Sequence, residues 1–214
     1  MNTTSATPDM ITFNTEKQIE ERLLPKATQT VTTFNLVPES HKILRTKLKD
    51  FDFANPPVDP NQFASSLVET CKIHRGFGLS ANQCGFEHRV FVMGANDNFV
   101  AFFNPSIVQE LDGEVMMMEG CLSFPLMGLN VYRSKSVVVE YQDFRGEKHT
   151  TRLEGLSARC FQHELDHMNG IVYTSKAKPL ALKSGLTKRA KLFKQIAKNL
   201  AQNRAGQLLS TPSN

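Results

Sequence analysis

The chain of 214 residues lacks any apolar run approaching the roughly 18 residues needed to span a bilayer. With 40% hydrophobic and 21% charged residues, it reads as one soluble globular domain with tails. Its four cysteines, Cys71, Cys84, Cys121 and Cys160, include no CxxC pair. The first thirty residues hold Asp9, Glu16, Glu20 and Glu21, so they resemble neither a secretory leader nor an Arg-rich import signal. A reducing cytoplasm is therefore the expected compartment, and neither DNA nor a membrane is an expected partner. The chain also has no internal repeat and no acidic residue after Asp166. Residues 1–166 carry 16 Lys and Arg against 21 acidic residues, whereas residues 167–214 carry 9 Lys and Arg and none. The net charge of +4 thus belongs to the tail, which can be a solvated face or a docking element.

What is present has a recognisable order. Residues 1–30 are polar and weakly patterned and are expected to be a flexible extension. The Pro- and Asn-rich stretch Asp52 to Gln62 reads as a loop. Phe63, Leu67, Val68 and Cys71 recur at helical spacing and predict a helix over Asn61–Cys71. The period then becomes strand-like over His88–Met93, Val100–Phe103, Ser136–Tyr141 and Lys148–Leu153, with Asp143-Phe144-Arg145-Gly146 as a hairpin turn. A long helix follows from about Leu156 to Asn169, with Gly170 as its stop. The resulting expectation is an α+β fold in which antiparallel or mixed sheets pack around a central metal-binding helix. The catalytic domain is expected over 31–175, followed by a basic tail over 176–214.

The most specific signal lies on that helix. His163 and His167 are four apart, hence on one face with Cβ atoms about 5–6 Å from each other, and both can grip one metal ion. Glu164 sits where such sites keep a general base. Two ligands do not complete a site. The extended pattern HExxHxxGxxH would put a third histidine where Tyr173 stands, and no carboxylate follows Asp166. A third ligand is therefore expected upstream. Cys121 in Glu119-Gly120-Cys121-Leu122-Ser123 is the best candidate, since a thiolate ligates strongly and the flanking glycine lets backbone approach a bound group.

Together, Gly76-Phe77-Gly78-Leu79-Ser80-Ala81-Asn82-Gln83, Glu119-Gly120-Cys121-Leu122-Ser123 and Gln162-His163-Glu164-Leu165-Asp166-His167 resemble the three signature motifs of the peptide deformylases, in order, over about residues 35–175. The resemblance implies one divalent metal ion, natively Fe2+ and replaceable by Ni2+, Zn2+ or Co2+, held by Cys121, His163 and His167. It implies hydrolysis of the formyl group from N-formylmethionyl nascent peptides, with Glu164 moving the proton and formate as product. It further implies that the Gln83 side-chain amide and the Leu122 backbone N–H stabilise the oxyanion, and that Gly78 and Gly120 pair with the peptide backbone. Phe77, Leu122, Phe124, Arg159 and Cys160 are candidates for the wall of the methionine pocket. Asp166 and Glu119 are expected to orient the ligating histidines rather than bind metal.

The chain departs from the family at two positions. Ser80 stands where Ala is usual, and Phe77 is bulkier than the customary Ile or Val, which implies a narrower or differently polar cleft. His41, His74, His88 and His149 lack partners at ligand spacing and are expected to be structural, while Cys71, Cys84 and Cys160 read as small buried apolar residues. The Met116-Met117-Met118 run is expected to pack against the Glu119 loop. In the tail, Leu186, Ala190, Phe193, Ala197 and Leu200 alternate with lysines and predict a basic amphipathic helix over 184–203. That helix either folds its apolar stripe onto the domain or contacts ribosomal RNA. The competing functions are another HExxH metallohydrolase, such as a metallopeptidase, and a catalytically silent ribosome-associated binding protein. The simultaneous presence of Gln83, Cys121, His163, Glu164 and His167 argues against a silent copy.

Overall fold

A computed structural model describes residues 31–209, with side chains to residue 203. The expected N-terminal extension lies outside the described residues. Three helices and five strands carry the fold: α1 (Pro60–Ile73), β1 (Gly78–Ser80), β2 (Val90–Ala95), β3 (Asn98–Cys121), β4 (Phe124–Gln142), β5 (Lys148–Glu154), α2 (Gly155–Met168) and α3 (Pro179–Leu209). The strands form one antiparallel sheet in the order β1-β2-β3-β4-β5, each paired with its neighbour in sequence. A parallel bridge between Lys49 and His88 stands apart from it.

α1 starts where Asp59 accepts a hydrogen bond from the Gln62 N–H at 2.6 Å, and Pro60 occupies the first turn, where it has no amide to strand. Its buried stripe of Phe63, Leu67, Val68 and Cys71 lies against one face of the sheet. The alternation of β2 divides the core. Val90 and Val92 face α1, while Phe91 and Met93 face α2 on the other side, so the strand is apolar throughout. Phe161 of α2 meets Phe91 and Phe102 edge-on, with centroids 5.2 and 5.3 Å apart. Such aromatic pairs are worth about 0.5–1.5 kcal/mol each beyond area burial, and these two fix the docking of the histidine-bearing helix.

Two strands extend well beyond their predicted cores. The sequence pattern predicts β3 only over Val100–Phe103, but the strand continues to Cys121, and β4 begins at Phe124 rather than Ser136. The pairing register shifts between Phe103 and Ser106, Ile107 and Gln109, Leu111 and Glu114, and Glu119 and Cys121. Each bulge resets the period of two, which erases the alternation by which a strand is recognised. The methionine run is only partly packed: the Met118 side chain lies against Gly128, yet Met118 also lines the cleft. The run stands on β3 with Met116 48% and Met118 74% exposed.

α3 is longer at both ends than the predicted 184–203. Its first turns lie on the body: Leu182 packs against the core, and a Cβ at Gly185 would stand 2.6 Å from Leu129 Cδ2. Farther along, Leu192, Phe193, Ile196 and Leu200 are exposed, so only part of the apolar stripe is covered. No helix among the described residues is long and apolar enough to cross a membrane.

α2 stops at Gly170, whose φ of 72° lies in the left-handed region. A Cβ there would come within 2.8 Å of the Arg45 and Thr46 carbonyl carbons, and backbone cannot yield as a side chain can. Gly170→Ala is expected to destabilise the protein by about 1–3 kcal/mol. A lowered urea midpoint with unchanged slope would show this, and an unaltered midpoint would refute it.

Candidate active site

The three motifs converge at one end of the sheet. β1 and the 3-10 turn Ala81–Cys84 bring Ser80 and Gln83, the β3–β4 turn brings Glu119 to Ser123, and α2 brings His163, Glu164 and His167. Cys121 Sγ and one ring nitrogen each from His163 and His167 lie within 4.8 Å of one another, a spacing that could hold a metal ion. Cys121 Sγ is 3.3 Å from His167 Nε2. Each histidine is positioned through other atoms. His163 Nδ1 faces Glu119 Oε2 at 3.0 Å, which turns Nε2 inward, and Asn82 Nδ2 donates to the His167 carbonyl at 2.9 Å. His167 Nε2 is the nitrogen that faces Cys121, while its Nδ1 is buried without a hydrogen-bond partner among the described residues. One thiolate and two imidazoles suit a divalent first-row metal, so the residues present fit the implied ion.

Burial and neighbouring charge set the protonation of these groups. Among the protein groups alone, burial lowers the pKa of His163, but hydrogen bonds to Cys121 and Glu119 outweigh this and raise it to about 10. Burial, aided by His163 and Arg133, pushes His167 well below the usual imidazole value. Glu164, 4% exposed, is raised above an ordinary carboxylate by burial, against the opposing effects of His163 and a hydrogen bond from Ser80 Oγ to its Oε2. A Cβ at Gly78 would stand 2.5 Å from Glu164 Oε1 and 2.9 Å from Cys160 Sγ, so the glycine lets the edge strand approach the carboxylate.

Gln83 is held on both sides of its amide. Its Oε1 accepts from the Ser80 N–H at 2.9 Å, and its Nε2 donates to Ser123 Oγ at 3.0 Å and Cys121 Sγ at 3.4 Å. A cleft of about 790 Å³ opens beside these groups. Gly78, Gln83, Gly120, Cys121, Leu122 and Phe124 line its inner part, together with Cys160, His163 and Glu164. Phe77, 56% exposed, stands in its wall. A Cβ at Gly120 would meet nothing within 4 Å. Arg159 reaches the cleft but turns its guanidinium inward, to Glu119 Oε1 at 2.5 Å and the Val115 and Val131 carbonyls at 2.7 and 3.1 Å.

Arg133 gives no signal in the sequence. It is 2% exposed, donates from Nε and Nη2 to Glu119 at 2.9 Å and also bonds Asp166. It comes from mid-β4, 29 residues from the Gln162 carbonyl to which its Nη1 also donates and 33 from Asp166, and carries no local pattern. The structural histidines divide: His41 accepts from the Ile43 N–H at 3.2 Å, His88 meets Phe51 edge-on, and His74 lines the cleft. His149 lies 3.2 Å from Asp143 Oδ2. Asp143, Glu147 and His149 also have ligand spacing, but the Asp143 carboxylate accepts from the Arg145 and Glu147 N–H groups and closes the β4–β5 turn.

A cysteine sulfur and two histidines beside a buried glutamate, with an amide aimed at the same place, define the site of a metal-dependent hydrolase. The family model for polypeptide deformylase matches residues 33–183. The peptide deformylase of Thermotoga maritima is 43% identical over 133 residues, covering 60% of this chain and 80% of that protein. That of Christiangramia forsetii is 32% identical over 169 residues, covering 71% of this chain and 85% of its own length. Among solved structures, a peptide deformylase from Synechococcus elongatus in complex with actinonin superposes with a TM-score of 0.70 at 28% identity, covering 78% of this chain and 92% of that one. The chain belongs to the peptide deformylase family, enzymes that remove N-formyl groups from nascent peptides.

The Glu119 cluster generates a prediction. Although burial works against its charge, hydrogen bonds from His163 and Arg133 hold the Glu119 carboxyl down at about 2. Its contribution to stability is present above the ordinary value of 4.5 and is lost as pH falls through about 2. Glu119→Gln should shrink the loss of stability between pH 4.5 and 2. It should also weaken metal binding by about 10–100-fold, measured by chelator competition. Unchanged metal affinity would show that Glu119 does not orient His163.

Proposed function

We propose that Cys121, His163 and His167 hold one Fe2+, replaceable by Ni2+, Zn2+ or Co2+, in a site whose donors the fold has already brought together. The thiolate and imidazole donors support that choice. When bound, the ion supplies Lewis acidity, which lowers the pKa of water from about 15.7 towards about 7.

The observation that carries the mechanism is the Glu164 carboxylate, buried beside the three ligands and fixed through Oε2 by Ser80. Glu164 takes the proton of the attacking water and returns it to the departing amine. A carboxyl raised by burial suits both transfers near neutral pH. Gln83 Nε2 and the Leu122 N–H donate to the developing oxyanion: the Gln83 amide stays fixed by the Ser80 N–H and Ser123 Oγ, and its hydrogen that lies on Cys121 Sγ turns to the oxyanion.

β1 is the edge strand of the sheet, so an extended peptide can add beside Gly78 while Gly120 borders it opposite. Leu122, Phe124 and Cys160 then receive the methionine side chain, Phe77 narrows the entrance, and Arg159 braces the wall from behind. No observation favours the metallopeptidase or the silent-copy reading. Glu164→Ala should retain the metal, read by elemental analysis, yet lose about 10²–10⁴-fold in formate release from a formyl-Met peptide under anaerobic conditions with Fe2+. Formate release at the parent rate would sink this mechanism.

The catalytic unit spans about 31–175, and the basic helix that follows makes a transient ribosome contact in the cytoplasm. Support comes from charge and exposure: Lys188, Lys191, Lys194 and Lys198 stand on the exposed face of α3. Converting all four to Gln should weaken cosedimentation with ribosomes and flatten its salt dependence, by up to about 0.7–0.9 log units of slope for every phosphate no longer neutralised. Identical sedimentation of both proteins across salt concentrations would rule out a ribosome-binding role for these lysines.

A further inference from the structure

The wall of the cleft opposite Gly78 contains a kink. Leu126 is neither glycine nor asparagine, yet its φ is 63°, and it lines the cleft with 44% of its surface exposed. Residues in that region persist when their surroundings over-determine them, and they cluster where ligands are clamped.

Here the surroundings come from the segment after the histidine helix. On one side of Leu126, the Pro125 carbonyl accepts a hydrogen bond from Arg189 Nε at 2.9 Å. On the other, the Met127 carbonyl accepts from the buried Tyr173 hydroxyl at 2.6 Å. Arg189 is itself fixed. Its Nη2 donates to Glu39 Oε2 at 2.5 Å, its guanidinium lies 5.3 Å from the Phe193 ring, and only 12% of its side chain is exposed. One turn earlier, Gly185 lets α3 press onto Leu129 and Met127. Arg189 is thus set apart from the exposed lysines of the same helix, since it serves the body of the protein.

We propose that Arg189 is a positioning residue that holds the left-handed kink at Leu126, and that Leu126 so displayed forms an apolar subsite for the peptide side chain following formyl-methionine. The depth of the groups supports this placement. Phe124 and Met127 are buried in the floor, whereas Leu126, Phe77 and Leu156 are exposed around the cleft, where the chain leaving the site passes. The proposal rests on the deformylase reading.

The test compares formyl-Met-Leu and formyl-Met-Gly peptides with the metal-loaded full chain. Arg189→Ala should raise KM for the leucine peptide about three- to tenfold, with kcat and the glycine peptide changed less than about twofold, because apolar contacts discriminate at this scale. Leu126→Ala should give the same pattern, and Arg189→Lys should recover part of it, since an ammonium can still donate to the Pro125 carbonyl. Hydrogen exchange over residues 124–129 should accelerate in Arg189→Ala. Equal changes for both peptides, or no change in KM and exchange, would overturn the proposal. Failure of the parent to release formate from either peptide would overturn the deformylase reading itself, which separates the two failures.

Discussion

The site depends on one buried carboxylate. Glu119 lies among Arg133, Arg159 and His163, and through Arg133 it is tied to Asp166 of the same helix that carries both histidines. Removing charges from water costs several kcal/mol each, and the cluster offsets this only because nearly every lone pair and N–H is matched. Such a network is weak evidence for stability but strong evidence for geometry. It joins β3, β4 and α2 at one point, so the cysteine turn and the histidine helix cannot shift independently.

The remainder of the site follows from how closely backbone can approach that point. β1 reaches Glu164 because Gly78 has no side chain. Ser80 then performs two tasks from one position, its N–H fixing the amide oxygen of Gln83 and its hydroxyl fixing Glu164. Its serine hydroxyl, unusual for the motif, is therefore a hydrogen-bond donor to the carboxylate proposed to move the proton.

Legibility in the sequence follows the range of each interaction. α1 and α2 are readable because an N-cap, a period of 3.6 and a left-handed stop are local signals, and their predicted ends fall within two residues of Pro60–Ile73 and Gly155–Met168. The histidine helix is readable for the same reason, and the absence of acids after Asp166 points upstream to Cys121. β3 is not, because its bulges break the alternation that marks a strand. Arg133 is not, because its partners lie 14 to 33 residues away in sequence. The exposed methionines read as packing because composition gives hydrophobicity without direction. The tail helix is visible in outline, but the division of its positive charges between solvent and the cleft wall requires the fold.

The order of the strands has a consequence for how the enzyme comes into being. Each strand pairs with the one made just before it, so the sheet can assemble from successive hairpins with short loop closures. The proposed ligand set cannot. Cys121 and His167 are 46 residues apart, and the second arrives only after the whole sheet and α2 have been synthesised. Capture of an ion by this proposed set must therefore wait for α2, and binding to the folded set alone adds its free energy to that of folding. A chain halted before α2 would lack both histidines of that set, along with the helix that packs on Phe91 and Phe102.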